Sequence, residues 1–244
     1  MMFGIVQSEI LKFKHTFSMK LILFAPFATL LLGYFLSGSS IQYAAYNWWC
    51  TMIFPMIISI WCTDIIKKEK NTEFQNILCL PTDLGKIWIG KNIAIITFLF
   101  VANFFMWIGC TVFGYFTTVN ITPLNGIAGC IFLFLTSIWQ VPFIMFLTDK
   151  IGYLPAILLS FAANVLLFSV GVGKTCFFLN LYAIPARIVC PFFGIYPNGL
   201  LLENDSPLWN TDCIIPAVII SLFLAILILA ASTILFSKRR NYYE

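Results

Sequence analysis

Charge is what this chain has least of. Lys, Arg, Asp and Glu make up 10% of its 244 residues, against about 25% in an ordinary soluble domain, while hydrophobic residues reach 61%. Water cannot cover so apolar a chain, which excludes a soluble globular protein and points to an integral membrane protein. Histidine is almost absent, with His15 alone. None of the eight cysteines (Cys50, Cys62, Cys79, Cys110, Cys130, Cys176, Cys190, Cys213) stands in a CxxC pair, so no metal or dithiol centre is expected and buried thiols are the plain reading. On an oxidising face Cys176, Cys190 and Cys213 offer one disulfide and a spare thiol, with nothing in the sequence to select the pair.

Other absences narrow the chemistry. The apolar runs hold no paired carboxylates, HExxH or Ser/His arrangement, which leaves an intramembrane enzyme without working residues. They hold no ionisable residue either, so a proton relay has no carrier. Asp64 and Asp149 fall at the ends of runs, where hydration is cheap. The stretch FSVGVGKTCF (168–177) ends like a phosphate-binding loop but lacks its first glycine, because Phe168 stands in that place, and apolar sequence flanks it on both sides. It reads as the end of a helix. No cofactor is expected on this chain, and ATP, if the protein uses it, belongs to a partner.

What remains is apolar helix. A bilayer core needs about 20 apolar residues per span, and six segments qualify: 21–39, 48–63, 93–117, 126–147, 152–172 and 213–236. The expected fold is therefore all-α and membrane-embedded, with six transmembrane helices in a single domain over 1–244. The first span follows a long basic lead and reads as a retained anchor rather than a cleaved signal. Grouping the termini, the loop at 64–92 and the loop at 148–151 on one side collects Lys12, Lys14, Lys20, Lys67, Lys68, Lys70, Lys86, Lys91, Lys150, Lys238, Arg239 and Arg240. The other side keeps only Lys174 and Arg187 of the 14 basic residues. The positive-inside rule then makes both termini cytoplasmic and puts Lys174 at the outer interface.

Residues 1–20 carry Phe3, Val6, Ile10, Phe13 and Phe17 at helical spacing, with Glu9, Lys12 and His15 opposite. This predicts an amphipathic helix lying in the interface. In the loop DIIKKEKNTEFQNILCLPTDLGKIWIGK (64–91), Thr72 and Gln75 have the spacing of a capping box. A short helix is expected to start there, to present Phe74, Ile77 and Leu78 on one face, and to stop at Pro81. Lys67, Lys68, Glu69, Lys70 and Glu73 keep this end in water. Such a helix suits docking into another protein's groove or folding back on its own bundle. Within the spans Asn103, Gln140 and Asn164 are the polar candidates, for interhelical hydrogen bonds or for a substrate path.

The order Glu69, Thr72-Glu73, Ile77-Leu78, Pro81, Lys86 and Lys91 resembles the loop between the second and third spans of ABC-2 type exporter permeases. Asn71 stands where that family usually has glycine, and asparagine also tolerates a left-handed turn. The wording EKNTEFQNILCLP with KIWIGK is most similar to the lantibiotic-immunity branch (MutE/EpiE-like). The resemblance implies a bacterial plasma-membrane permease that pairs with a second, related permease and two copies of a cytosolic ABC ATPase, which binds the ATP and Mg. Glu69, Thr72, Glu73, Phe74, Gln75, Ile77, Leu78 and Pro81 would form the ATPase-coupling helix, and the cargo would be an amphipathic antimicrobial peptide, expelled to give immunity. Another amphipathic cargo (a drug, a lipid, a bacitracin-like antibiotic) and an uncoupled scaffold or channel are the alternatives.

The connection at 173–212 is too aromatic for a free loop, and Pro185, Pro191 and Pro197 prevent a long helix. Short re-entrant helices are expected there. Phe177, Phe178, Tyr182, Phe192 and Phe193 would line an outer rim, either as interface anchors or as a path for the peptide. Asn120 and Asn204 begin N-x-[ST] triplets in outer loops, which a bacterial host would leave bare.

Overall fold

The computed structural model describes residues 2–79, 82–174 and 177–238. Helix dominates it, and among the described residues the only β pairing is an isolated bridge between Ile195 and Leu201. Among the described residues, four stretches are long and apolar enough to cross a membrane: Phe17–Lys70, Leu84–Phe116, Pro123–Ile151 and Ile214–Ser237. Large apolar side chains point outward along them, as at Phe24, Phe100, Phe223 and Ile226, which a lipid solvent allows and water would not.

The leader is α1 (Met2–Leu11). α2 (Phe17–Ser37) starts at Thr16, whose hydroxyl accepts the Met19 N–H, and ends at Gly38, whose φ of 51° reverses the chain. The return limb is α3 (Ile41–Trp48), a π-helical turn over Trp49–Ile53, and α4 (Phe54–Lys70). The π turn has a local cause. Pro55 has no N–H for the Thr51 carbonyl and its ring crowds that carbonyl, so the ladder shifts and the Phe54 N–H reaches Trp49 instead. The Trp61 indole donates to the Ser18 carbonyl at 2.7 Å, and a Cβ on Gly33 would strike Ala45. The stretch Phe17–Lys70 is therefore an antiparallel hairpin.

After the short α5 (Gln75–Leu78), Asp83 caps α6 (Leu84–Phe116), a helix of 33 residues. Thr122 and Pro123 start α7 (Pro123–Ser137), which breaks at Ile138–Trp139 and continues as α8 (Gln140–Ile151). Gly152, at φ 92°, turns the chain into α9 (Tyr153–Leu167). α9 packs antiparallel to α4, with Ser160 donating to Ser59 Oγ at 2.9 Å and Lys67 over the Tyr153 ring. α10 (Ala183–Phe193) lies against α7, and α11 (Ile214–Ser237) closes the bundle against α6 and α8.

The expected boundaries shift accordingly. The second apolar run begins at Ile41 rather than 48 and continues to Lys70, and the third starts at Leu84, nine residues before 93, because Asp83 caps it there. The run expected at 152–172 is helical only over the 15 residues Tyr153–Leu167. Residues 168–174 are turns, with Gly171 at φ 82°.

One end of the bundle gathers α1, the α4–α6 loop, the α8–α9 turn and the end of α11. Lys12 meets Glu69, Lys70 meets Thr148, and Phe74 meets Phe236. These are the segments grouped on one side by charge.

Candidate functional site

The basic end is organised around Glu69. α4 runs on through a last turn holding Lys67, Lys68 and Lys70. Glu69 itself is buried, at 3% exposure. Its Oε1 accepts from Lys12 Nζ at 2.6 Å and from Lys91 Nζ at 2.6 Å. Glu9 completes the group: its Oε1 accepts from Lys12 at 2.8 Å and its Oε2 from Lys91 at 2.7 Å. Two carboxylates and two ammonium groups thus form a closed, neutral ring of four ion pairs joining α1, α4 and α6. Lys91 has no exposed surface at all. Buried charges on this scale persist only when paired. At Lys12, burial works to lower the pKa, but the bonds to Glu69 and Glu9 outweigh it and hold the ammonium above the usual lysine value.

This corrects one expectation. Glu69 does not stand in water, and on the leader the polar side is divided, with Glu9 buried in the ring and Lys12 and His15 exposed. The physical reason is complementary charge: the Glu69 carboxylate meets both the Lys12 and the Lys91 ammonium groups, and Glu9 meets the same two lysines. Gly90 makes the approach possible: a Cβ there would lie 2.6 Å from Ile5 Cγ2.

The backbone of Glu69 sets up the loop. Its carbonyl accepts from Thr72 N (3.2 Å), Phe74 N (2.9 Å) and Thr72 Oγ1 (3.0 Å). The chain then passes through left-handed conformations at Glu73 (φ 49°) and Phe74 (φ 60°). Two details differ from expectation, and a third decides between the two placements left open. The capping box does not form, because the Gln75 N–H goes to the Thr72 carbonyl and Phe74, not Thr72, stands at the helix N-cap. The left-handed turn falls at Glu73 and Phe74 rather than Asn71, which is right-handed at φ −62°. The aromatic knob faces inward: the Phe74 ring meets Phe236 edge-on, Phe236 stacks on Trp88, and Ile77 is buried with them while Leu78 packs partly against the same core. Of the two placements open to this helix, folding back on its own bundle is the one adopted. Exposed on the loop are Asn71, Glu73, Gln75, Asn76 and Cys79. Pro81, expected to stop the helix, lies outside the described residues.

The residue after Glu69 fastens the loop a second time. Lys70 Nζ donates to the carbonyls of Thr148 (3.0 Å) and Asp149 (2.6 Å), a cation at the C-terminal end of α8 where free carbonyls favour it. Asp64, one turn back, accepts from Ser18 and pairs with Lys68.

The three polar candidates of the bundle interior, Asn103, Gln140 and Asn164, are each engaged. Asn103 Oδ1 accepts from the Trp49 indole at 2.9 Å, and its Nδ2 donates to the Cys130 carbonyl at 2.6 Å. Asn164 donates to Gln140 Oε1 at 3.0 Å and to the Ser160 carbonyl. Both arrangements join separate helices.

At the opposite end, Phe193 is buried and stacks on Tyr46 with centroids 4.1 Å apart. Phe192 stacks on Phe132, and Gly129 leaves the space that the Phe193 ring and the Phe192 Cβ fill. Of the expected aromatic rim, Phe177 and Phe193 are packed away and Phe178, Tyr182 and Phe192 are half-buried, with Phe192 and Phe193 seating α10 on α7. Arg187, not singled out by sequence, is 7% exposed and donates to the carbonyls of Leu208, Pro207 and Asn210, tying α10 to the segment before α11. The GVGKT stretch follows the helix α9 rather than a strand, and Lys174 is exposed. Cys190 and Cys213 are free thiols, and Cys176 lies outside the described residues.

The sequence model of a protein family described as "ABC-2 family transporter protein" matches residues 5–182. No curated protein matches the chain, and no solved structure does.

Proposed function

The chain belongs to the ABC-2 transporter family, and from that membership we propose that it is the permease subunit of an ATP-driven exporter, coupled to a separate cytosolic ATPase through the α4–α6 loop. The observation that carries the coupling assignment is the double anchoring of that loop. Glu69 fastens it to α1 and α6, and Lys70 to the end of α8, so force applied at Glu73, Gln75 and Asn76 reaches several helices at once. In this reading the basic end is cytoplasmic, by the positive-inside rule. The chain crosses six times: twice in the hairpin Phe17–Lys70, once each in α6, α7–α8 and α11, and once in α9 with the turns that follow it.

The cargo is an antimicrobial peptide of the lantibiotic kind, moved outward across a bacterial plasma membrane, and the assembly contains a second permease and two ATPase copies. This finer reading rests on the wording of the loop, EKNTEFQNILCLP, and not on a peptide groove, since Phe192 and Phe193 are engaged in packing. The test is co-expression of the chain with the ATPase and second permease of a lantibiotic-immunity exporter. The expected result is a complex that co-purifies and raises the lantibiotic concentration cells survive. A chain that inserts but binds no ATPase would overturn the permease assignment; a complex that assembles without protecting cells would overturn the cargo alone.

A further inference from the structure

We infer that Glu9, Lys12 and Lys91 are positioning residues for the α4–α6 loop, and that the leader α1 is part of the coupling device rather than a passive interfacial anchor; the inference rests on the permease reading above. The ring of ion pairs is the ground for it. A leader that served only as an anchor would turn its apolar residues to lipid and its charges to water. α1 instead sends Glu9 into the bundle, where it meets Lys91 at 2.7 Å. Lys12 bridges Glu9 and Glu69. The Glu69 that receives both lysines is also the residue whose carbonyl fixes the turn into the loop. Displacing the loop therefore pulls on the Glu69 carboxylate, and through it on α1 and α6 together.

Gly90 extends the joint one turn away from the charges. Ile5 lies on it so closely that no Cβ fits, and two contacts on the same pair of helices prevent α1 from rotating on α6. The leader, the end of α4 and the start of α6 then move as one body.

The test uses the full chain in nanodiscs with its partner ATPase, and reads the hydrolysis rate in the complex relative to the free ATPase. The paired change Glu9→Ala with Lys12→Ala removes one acid and one base, so the Glu69–Lys91 pair stays neutral. At matched amounts of assembled complex, stimulation of hydrolysis falls about fivefold or more. A second pair, Ile5→Cys with Gly90→Cys, bridges leader to α6. The two Cβ atoms would stand 3.6 Å apart, within the range of roughly 3.5–4.5 Å that a disulfide needs. Oxidation of this pair leaves stimulation intact in the otherwise native chain and restores it in the Glu9→Ala/Lys12→Ala background, and reduction reverses the rescue. The inference is overturned if the double alanine variant assembles less but stimulates normally per complex, which marks a structural role only. Loss of stimulation on oxidising the native-charge pair also overturns it, and that arm stands even if the alanine variant does not fold. Failure of the unmodified chain to bind or stimulate any ATPase is a different result, and it counts against the permease reading.

Discussion

Lys91 is fully buried and bears on two carboxylates, so its removal leaves them facing one another with only Lys12 between. Lys91→Met is expected to destabilise the chain by about 3–5 kcal/mol, the usual scale for orphaning a buried ion pair, measured by unfolding in mixed micelles. Lys12 gives a pH signature. Its folded pKa is raised above the ordinary 10.5, so the stability it adds is complete below that value and is lost as pH climbs through the raised pKa. The difference in unfolding midpoint between the native chain and Lys12→Met should stay constant through neutral pH and shrink only in the strongly alkaline range. A difference that already closes near neutrality would contradict the assignment. At this scale the sequence was only partly legible. Lys91 stands between Ile-Trp-Ile-Gly and Asn-Ile-Ala-Ile-Ile, with apolar residues on both sides, which signals a buried lysine. Nothing in the linear pattern names Glu9 as its partner, because that pairing spans 82 positions. Asn103, Gln140 and Asn164 were better signalled, since a polar side chain in an apolar helix must find a partner on another helix.

Among the elements, α5 shows how an apolar face can be legible in the sequence while its orientation stays open. The spacing of Phe74, Ile77 and Leu78 does mark one apolar face, but spacing alone does not say whether the face meets a partner or its own bundle. The left-handed pair Glu73–Phe74 decides it by folding the ring onto Phe236. Phe74→Ala is therefore expected to cost about 3–5 kcal/mol of stability, as for other buried phenylalanines. A native unfolding midpoint in that variant would return Phe74 to the surface. The exposed Glu73 and Asn76 should tolerate substitution without loss of fold, which limited proteolysis of the inserted chain can check. At the other end, Phe193→Ala opens a cavity between α7, α10 and Tyr46. The expected outcome is reduced assembly with unchanged transport per assembled complex. Intact assembly with lost transport would instead restore Phe193 to a substrate path.

For the molecule as a whole, composition settled the class before any element was placed, because 61% hydrophobic residues leave no soluble solution. Charge grouping then brought together the leader, the α4–α6 loop, the α8–α9 turn and the end of α11, and contacts within the fold join those same segments. Less legible was the length of α9, whose apolar run continues past Leu167 although the helix gives way to turns near Phe168 and Gly171. The central claim is that the loop between α4 and α6 is where an ATPase acts on this permease, and a photo-crosslinking amino acid tests it most directly. Placed at exposed Asn76, it should capture an ATPase-sized cytosolic protein in cells, while the same probe at exposed Lys174, at the opposite end of the bundle, should capture none. Capture from Lys174, or from neither position in a cell expressing the whole transporter, would contradict the account.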